Sequence, residues 1–550
     1  MADTKREIER KYEAGPDTPL PDMTEVARVA EVVGKGVAEL DAVYYDTADL
    51  RLAASSVTLR RRTGGADAGW HLKLPVAPGV RDEIAAPLSD GVPDDLVGLV
   101  RAYARGREIV PVVRLLSSRD VQHLVDADGA LLAELSRDAV VAERLHGGEG
   151  TAQWDEIEVE LADGGEPSFL DAVDKKLRKA GVRTAVAPSK LVRALTETGG
   201  GPAERRRRGD ARTAGDHVLA YLEKEVAAVV AHDPGVRRDL PDAVHQMRVA
   251  TRRLRSALRS YRKVVDRDVT GPLIDELKWL AGELGVARDQ EVLAERLAER
   301  VDAVPVTLLL GPVDARLAAW AAAGAADARK TVIAALDSDR YLALLDALDA
   351  LCARPPLLKA AAGAPADVLP KAVLKEYDRL AARMDRALSL PAGEERDHAM
   401  HDARKAAKRA RYAAEVAKPA LGKAAKRFGK RMKAVQSVLG DHQDSVVARE
   451  ALRELAVRAH AAGETAFVWG LLYGREEARA EGREAELPGV WAKASAPGSG
   501  RHSAAEWAGT LESRPLASPR RFPCLPSRSS HSSKRCSRMC RSPSSTSAVS

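Results

Sequence analysis

Glu7-Ile8-Glu9-Arg10-Lys11 places two carboxylates and an ammonium at alternate positions, and the alternation returns in Arg60-Arg61-Arg62, His71-Leu72-Lys73-Leu74 and Glu156-Ile157-Glu158-Val159-Glu160-Leu161. Residues two apart on a strand share a face, so each run gathers its charge on one side. Several cations on such a face suit a ligand bearing several phosphates, because Arg can hold two oxygens at once. The carboxylates would repel that ligand by themselves. Clustered Glu without Cys or His partners suits a hard cation such as Mg2+ or Mn2+, held by Glu7, Glu9 and the later acidic strand, bridging phosphate oxygens and positioning water for in-line attack. Taken alone, Arg60-Arg61-Arg62 reads better as solvated charge. The combined set favours a site.

A second constellation has helical spacing. His245, Arg248, Arg252, Arg255 and Arg259 follow one another at steps of three and four and form one stripe, beside an apolar stripe of Met247, Leu254, Leu258 and Tyr261. Residues 248–263 hold seven basic residues and no acid; residues 404–433 hold twelve, with Glu415 the single acid. Uncompensated like charge weakens a helix, so a polyanionic ligand explains the pattern better than solubility does. The candidate contacts are His245, Arg248, Arg252, Arg253, Arg255 and Arg259, then His401, Arg404, Lys405, Lys408, Arg409, Arg411, Lys430 and Lys433. A lone His without a metal-spaced partner is more often a hydrogen-bonding member of such a patch, so His245 and His401 are expected to touch anion.

The elements that must position these groups differ between the two parts. Period-two alternation through the first 197 residues predicts strands, and closing them into a barrel would turn alternate residues into a wet lumen. The lumen candidates are Glu7, Glu9, Lys11, Arg60, Arg62, Lys73, Arg81, Arg114, Arg119, Glu158, Glu160 and Lys190. Gly- and Arg-rich residues 198–210 read as a flexible linker. Residues 211–494 are Ala-, Leu- and Arg-rich with helical periodicity. His245, Arg248, Arg252, Arg253 and Arg255 recur 156 positions on as His401, Arg404, Lys408, Arg409 and Arg411, while Leu284-Gly285 and Asp289 recur at an offset of 155 as Leu439-Gly440 and Asp444. Two packed homologous helical bundles are expected. Residues 495–550, rich in Ser and Arg, read as a disordered tail whose break in character also fits an out-of-frame end.

Charge is distributed unevenly. Residues 1–200 hold 26 Lys+Arg against 35 Asp+Glu, residues 201–500 hold 51 against 43, and residues 501–550 hold 9 against 2, so the overall +6 describes none of them. The longest apolar run free of charged residues, Ala303 to Val313, is eleven residues, short of the roughly 20 that span a bilayer. Cys352 alone precedes the tail, which fits a reducing, cytoplasmic setting.

Residues 5 to 195 resemble the CYTH superfamily of triphosphate tunnel metalloenzymes. The resemblance rests on Glu7-Ile8-Glu9-Arg10-Lys11, Tyr44-Tyr45-Asp46-Thr47, Leu59-Arg60-Arg61-Arg62, Lys73, Arg81-Asp82-Glu83, the Arg114 strand, Asp138, Glu156 to Glu160 and Ser189-Lys190, in that order. It implies an α+β chain that begins with an eight-stranded antiparallel tunnel. Lys11, Arg60, Arg62, Lys73, Arg81, Arg114, Arg119 and Lys190 would hold phosphates, Glu7, Glu9, Asp138, Glu158 and Glu160 would hold Mg2+ or Mn2+, and Lys11 and Glu9 would assist catalysis. Arg61 stands where the family has an apolar residue and should face outward.

Residues 211–494 resemble the CHAD domain through His245-Gln246-Met247-Arg248, Arg288-Asp289, His401-Asp402-Ala403-Arg404 and Leu439-Gly440-Asp441-His442-Gln443-Asp444. This implies paired helical bundles that bind polyphosphate, with granule association. The expected function is metal-dependent hydrolysis of inorganic triphosphate or short polyphosphate. Thiamine or nucleoside triphosphate hydrolysis, adenylyl cyclase chemistry and a non-catalytic polyphosphate-binding role stay open, as does nucleic acid as a ligand of the basic helices.

Overall fold

The computed structural model describes residues 3–15, 18–65, 67–201 and 210–496. Residues 497–550 and most of the expected linker lie outside the described residues.

The first half is a closed antiparallel barrel. Its strands are β1 (Asp3–Ala14), β2 (Glu31–Asp46), β3 (Thr58–Thr63), β4 (Gly69–Ala77), β5 (Val80–Ala86), β6 (Val110–Val125), β7 (Leu131–Arg144) and β8 (Thr151–Leu161). They run in the order β5-β4-β3-β2-β6-β7-β8-β1, and a β1 to β5 pairing closes the ring. β1 divides at the seam: Asp3–Ile8 pair with β5, whereas Glu9–Ala14 pair with β8. Glu7 therefore faces Arg81 in register, Glu9 faces Glu160, and Lys11 faces Glu158. A two-residue strand, β9 (Arg183–Thr184), lies against Tyr12 and Glu13.

Alternation gives this barrel a charged interior and an apolar exterior. Tyr12, Ile157, Val159 and Leu161 point outward and are buried beneath Phe169, Leu170, Val173 and Leu177 of the helix Ser168–Lys179. On the opposite wall Leu59, Trp70, Leu72 and Ile84 join one continuous core with Val218, Leu222 and Val226 of the helical half. Covering the outside with helices removes apolar surface from water while leaving the lumen free for charge. The short helices α1 (Arg51–Ala54) and α2 (Asp94–Ala104) contribute Leu52, Leu96 and Val100 to this shared core; Ser168–Lys179 is α3, and α4 (Lys190–Glu197) is the last helix of this half.

The second half is all helix: α5 (Ala214–Arg237), α6 (Ala243–Ser260), α7 (Arg267–Asp302), α8 (Val313–Asp337), α9 (Asp339–Ala353), α10 (Pro365–Ser389), α11 (Glu394–Ala461) and α12 (Phe467–Ser495). α11 is two helices joined at Gly422, whose φ of 54° and ψ of −123° break the helical path. With that break, α5 to α8 and α10 to α12 form two successive four-helix units. α6 of the first unit corresponds to the first part of α11, and α7 to its second part, at the spacing of the sequence repeat. Across the two halves Arg105 pairs with Asp349 at 2.9 Å and Arg238 with Asp82 at 3.6 Å. Among the described residues no helix is long and apolar enough to cross a membrane.

Candidate phosphate tunnel and basic helical cavity

The barrel encloses a cavity of 380 Å3 lined by side chains from nearly every strand. Glu7, Glu9, Lys11, Arg60, Arg62, Lys73, Arg81, Arg119, Glu158, Glu160 and Lys190 all reach it. Arg114 does not. It lies five residues from Arg119 in a strand of unbroken register there, and an odd separation sends the two to opposite faces. Arg114 instead pairs on the outside with Asp41, at 2.7 Å. Arg61 likewise turns outward, donating from Nε to the Ser89 carbonyl at 3.2 Å.

The carboxylates fall into two groups. In the first, Asp138, Glu156 and Glu158 each offer an oxygen within 4.8 Å of the others. Lys190 Nζ stands among them, at 2.9 Å from Asp138, 2.7 Å from Glu156 and 2.7 Å from Glu158. Lys190 is the first residue of α4, whose N-terminus is fixed by the Ser189 hydroxyl accepting from the Val192 amide at 3.2 Å. Arg119 grips Asp138 with two bonds of 2.7 and 2.8 Å and Glu158 with a third of 2.8 Å. Burial pushes the Glu158 carboxyl up, but Lys11, Lys190 and Arg119 outweigh it and hold the group well below the usual carboxylate range. The same attraction, working against burial, raises Lys190 and Arg119.

The second group is Glu7, Glu9 and Glu83. Lys73 donates to both Glu7 oxygens, at 2.8 and 2.6 Å, and lies 3.6 Å from Glu83. Burial raises the Glu7 carboxyl to about 7, whereas His71 and Lys73 overcome burial at Glu83 and lower it strongly. The two environments thus push the carboxyls apart, favouring the neutral form of Glu7 and the charged form of Glu83. Lys11 joins the two groups, bonding Glu158 and lying 2.9 Å from Glu9. Glu160 stands apart, paired with Lys5 at 2.6 Å. Of the five carboxylates expected to hold metal, the structure gathers Asp138 and Glu158, adds Glu156, and leaves Glu7, Glu9 and Glu160 outside that trio.

Three converging carboxylate oxygens with an ammonium at their centre fit a hard divalent cation, since oxygen donors without sulfur or imidazole suit Mg2+ or Mn2+. Elsewhere on the lumen Arg60, Arg62 and Lys73 supply positive charge, each beside an acid: Glu83 at 3.9 Å, Asp67, and Glu7 at 2.6 Å. Burial, Arg60 and Arg119 all press against the cation on Arg62, which Asp67 already pairs. The resemblance leaves open which two of Glu156, Glu158 and Glu160 reach a metal and favours the latter two, whereas the structure gathers Glu156 with Glu158; Glu83, which shares its face with Arg81, is given no role by the sequence reading.

The helical half holds a larger cavity of 690 Å3 where α6, α7 and α11 meet. His245, Arg248, Arg252, Arg255 and Arg259 line one side; His401, Arg404, Lys405, Lys408 and Arg409 line the other. The two sides repeat each other in detail. Arg248 pairs with Asp289 at 3.1 Å and Arg404 with Asp444 at 3.6 Å. A Cβ at Gly285 would lie 3.3 Å from the Arg248 guanidinium, and one at Gly440 would lie 3.4 Å from that of Arg404. The repeated Leu-Gly thus gives each arginine room against the next helix. Burial, then Arg404, Arg252 and Arg248, push Lys408 down to about 6. Burial and Arg288 lower His245, and burial and Lys405 lower His401, so both rings are neutral donors or acceptors at pH 7.

Four expected contacts do not line this cavity. Arg253 and Arg411 turn to Glu415, at 3.1 and 3.8 Å, and Lys430 and Lys433 are exposed farther along α11. Arg288 and Gln443, which belong to the motifs that carry the resemblance but are not among the expected contacts, line it together with Arg296, Tyr412 and Gln436. Arg288 and Gln443 stand 155 apart, the repeat spacing, which was the available signal.

A barrel with a charged lumen followed by a duplicated basic helical bundle defines the class. The CYTH domain family matches residues 5–194 and the CHAD domain family residues 220–453. The chain is 39% identical over 493 residues to the uncharacterized protein Rv2226 of Mycobacterium tuberculosis, covering 86% of this chain and 93% of that one. It belongs to the family of proteins that join an N-terminal CYTH domain to a C-terminal CHAD domain. Among solved structures, PptA from Streptomyces chartreusis is similar at 23% identity and a TM-score of 0.43, covering 51% of this chain and 99% of its own. The CHAD domain from the plant Ricinus communis is similar at 29% identity and a TM-score of 0.42, covering 52% and 94%. CYTH domains are typically triphosphate tunnel metalloenzymes and generally depend on a divalent metal.

Proposed function

We propose that the tunnel hydrolyses inorganic triphosphate or short polyphosphate with the help of Mg2+ or Mn2+, and that the helical cavity binds polyphosphate. The observation that carries this reading is a buried carboxylate trio at a basic lumen: Asp138, Glu156 and Glu158 converge, and Glu158 opens into a cavity that Arg60, Arg62, Lys73, Arg81 and Arg119 also line. Pure anion binding has no use for buried carboxylates, which repel phosphate unless a cation intervenes.

Asp138, Glu156 and Glu158 would hold the metal, which when bound supplies charge neutralisation to phosphate oxygens. The chain's own groups do the rest. Arg60, Arg62, Lys73 and Arg81 hold and align the phosphates, and Arg119, anchored by Asp138 and Glu158, keeps its guanidinium fixed as charge develops. Lys190 and Lys11 neutralise these carboxylates and stand at the lumen, where their ammonium groups would also attract phosphate oxygen. Glu7, whose carboxyl burial raises to about 7, lies beside Lys73, within the phosphate-binding wall. Enclosure by the barrel strengthens each of these interactions over its value in water.

The cavity between the two helical units is suited to a longer polyanion, because the stripe of α6 and that of α11 face one another across it. Phosphate release from triphosphate, long polyphosphate, ATP and thiamine triphosphate, each with Mg2+ or Mn2+, tests the reading. Release from triphosphate is expected to be fastest. Cyclic AMP with pyrophosphate from ATP, or no turnover of any of them, would overturn it.

A further inference from the structure

We propose that Asp397, His442 and Glu484 form a second metal site, in the helical half, that takes a divalent transition ion of the zinc class. The three residues come from distant places: the start of α11, its second part beyond the Gly422 break, and α12. Their donor atoms lie within 4.8 Å of one another. One imidazole nitrogen with two carboxylate oxygens is a donor set that Zn2+ accepts readily and Mg2+ does not prefer, which separates this site from the all-oxygen trio of the tunnel.

His442 has a side-chain exposure of only 1%, and its Nε2 lies 3.1 Å from Glu484 Oε1 and 3.3 Å from Asp397 Oδ1. A neutral imidazole has one N–H to offer, so two acceptors compete for it; a cation would satisfy both oxygens and the ring nitrogen together. The far oxygens are already occupied. Arg449 approaches Asp397 Oδ2 at 3.6 Å, and Arg396 approaches Glu484 Oε2 at 3.2 Å. Each carboxylate is thereby turned with one oxygen toward His442, the outer-sphere arrangement that orients metal ligands. Asp397 and Glu484 remain partly exposed, at 22% and 15%, which leaves a path for an ion.

The bundle itself does not require this histidine. At the repeat spacing of 155, position 442 corresponds to Ala287 in α7, so the first unit folds with a methyl group there. An ion at the site would tie both parts of α11 to α12. His401 lies four residues beyond Asp397 and Gln443 directly follows His442, so the tie would brace the second wall of the basic cavity.

The test uses the full chain, stripped with chelator and kept in excess Mg2+, and titrated with Co2+ as a visible-absorbance probe and with Zn2+ in competition. One equivalent of Co2+ displaced by Zn2+ is expected, and Zn2+ should raise the thermal midpoint. His442→Gln and, separately, Asp397→Asn should each weaken Zn2+ by more than the roughly 10–100-fold associated with losing an outer-sphere partner, with helical circular dichroism showing that the variants fold. The tunnel variant Glu158→Gln should keep the Co2+ spectrum. Absence of Co2+ and Zn2+ binding above Mg2+, or binding that survives in both helical variants, would overturn the site.

Discussion

The ammonium of Lys190 lies 2.9 Å from Asp138, a carboxylate with no solvent exposure at all. With Glu156 and Glu158 on its other sides, Lys190 compensates a buried acidic cluster that would otherwise cost several kcal/mol per ion. Lys190→Met should therefore destabilise the chain by about 3–5 kcal/mol in chelator, a loss that Mg2+ partly restores by replacing the missing charge. Urea unfolding with and without Mg2+ measures this. A loss identical in both conditions would mean that the trio does not take the cation.

Arg119 and Arg114 form a matched pair for testing the tunnel wall. Arg119 is half-buried in the lumen against Asp138 and Glu158, while Arg114 pairs with Asp41 on the surface. Arg119→Ala should lower kcat/KM for triphosphate by about 100-fold or more, in line with losing a preorganised charge donor. Arg114→Ala should change it by less than about twofold, since exposed pairs contribute about 0–1 kcal/mol. Equal losses in the two would contradict the assignment of strand faces.

That pair also marks what the sequence could and could not tell. The tunnel, its order of strands' charged faces and the duplicated bundle follow from period-two and period-3.6 patterns together with the ordered motifs. Parity alone excludes placing both Arg114 and Arg119 inside, because they are separated by five residues on one strand. Parity cannot choose among Glu156, Glu158 and Glu160, which share a face; the choice depends on where β1 crosses from β5 to β8 and on α4 delivering Lys190. On the helices, Arg253 lies one residue, about 100°, from Arg252 and so leaves the stripe. Charge density alone points to Lys430 and Lys433 as well, yet both lie beyond the break at Gly422, exposed and away from the cavity lining. Arg296 and Gln436 enter the cavity only through packing between helices far apart in sequence.

Lys408 supplies a pH signature. Its folded value of about 6 lies below the ordinary lysine range, because burial and Arg404, Arg252 and Arg248 disfavour the ammonium. The unfolded chain binds a proton that the folded chain does not, so this residue makes stability rise with pH from about 6 upward and withdraws that contribution as pH falls through 6. A bound polyanion reverses the balance by stabilising the ammonium. Polyphosphate binding at pH 7.5 should then take up close to one proton, seen as a dependence of calorimetric enthalpy on buffer ionisation, and affinity should fall as pH rises. Lys408→Met should remove the uptake; uptake unchanged in that variant would contradict the assignment.

Salt dependence separates cavity cations from the rest of the basic surface. Arg252, which lines the cavity and donates to the Tyr412 hydroxyl at 2.9 Å, should contribute to the polyelectrolyte slope, whereas exposed Lys433 should not. Arg252→Ala is expected to weaken long-chain polyphosphate and reduce the slope of log K against log salt by about one. Lys433→Ala should leave both within error. A titration series between low and moderate salt decides between them, and equal slopes for the two variants would place the ligand elsewhere on the helices.

The most direct measurement is release of inorganic phosphate from triphosphate by the full chain, with and without Mg2+ or Mn2+, compared with Asp138→Asn and Glu158→Gln. Turnover that requires the divalent ion and falls by at least about 100-fold in both variants is the predicted result. Turnover that persists in either variant, or that is indifferent to the ion, would contradict a metal-dependent triphosphatase built on Asp138, Glu156 and Glu158.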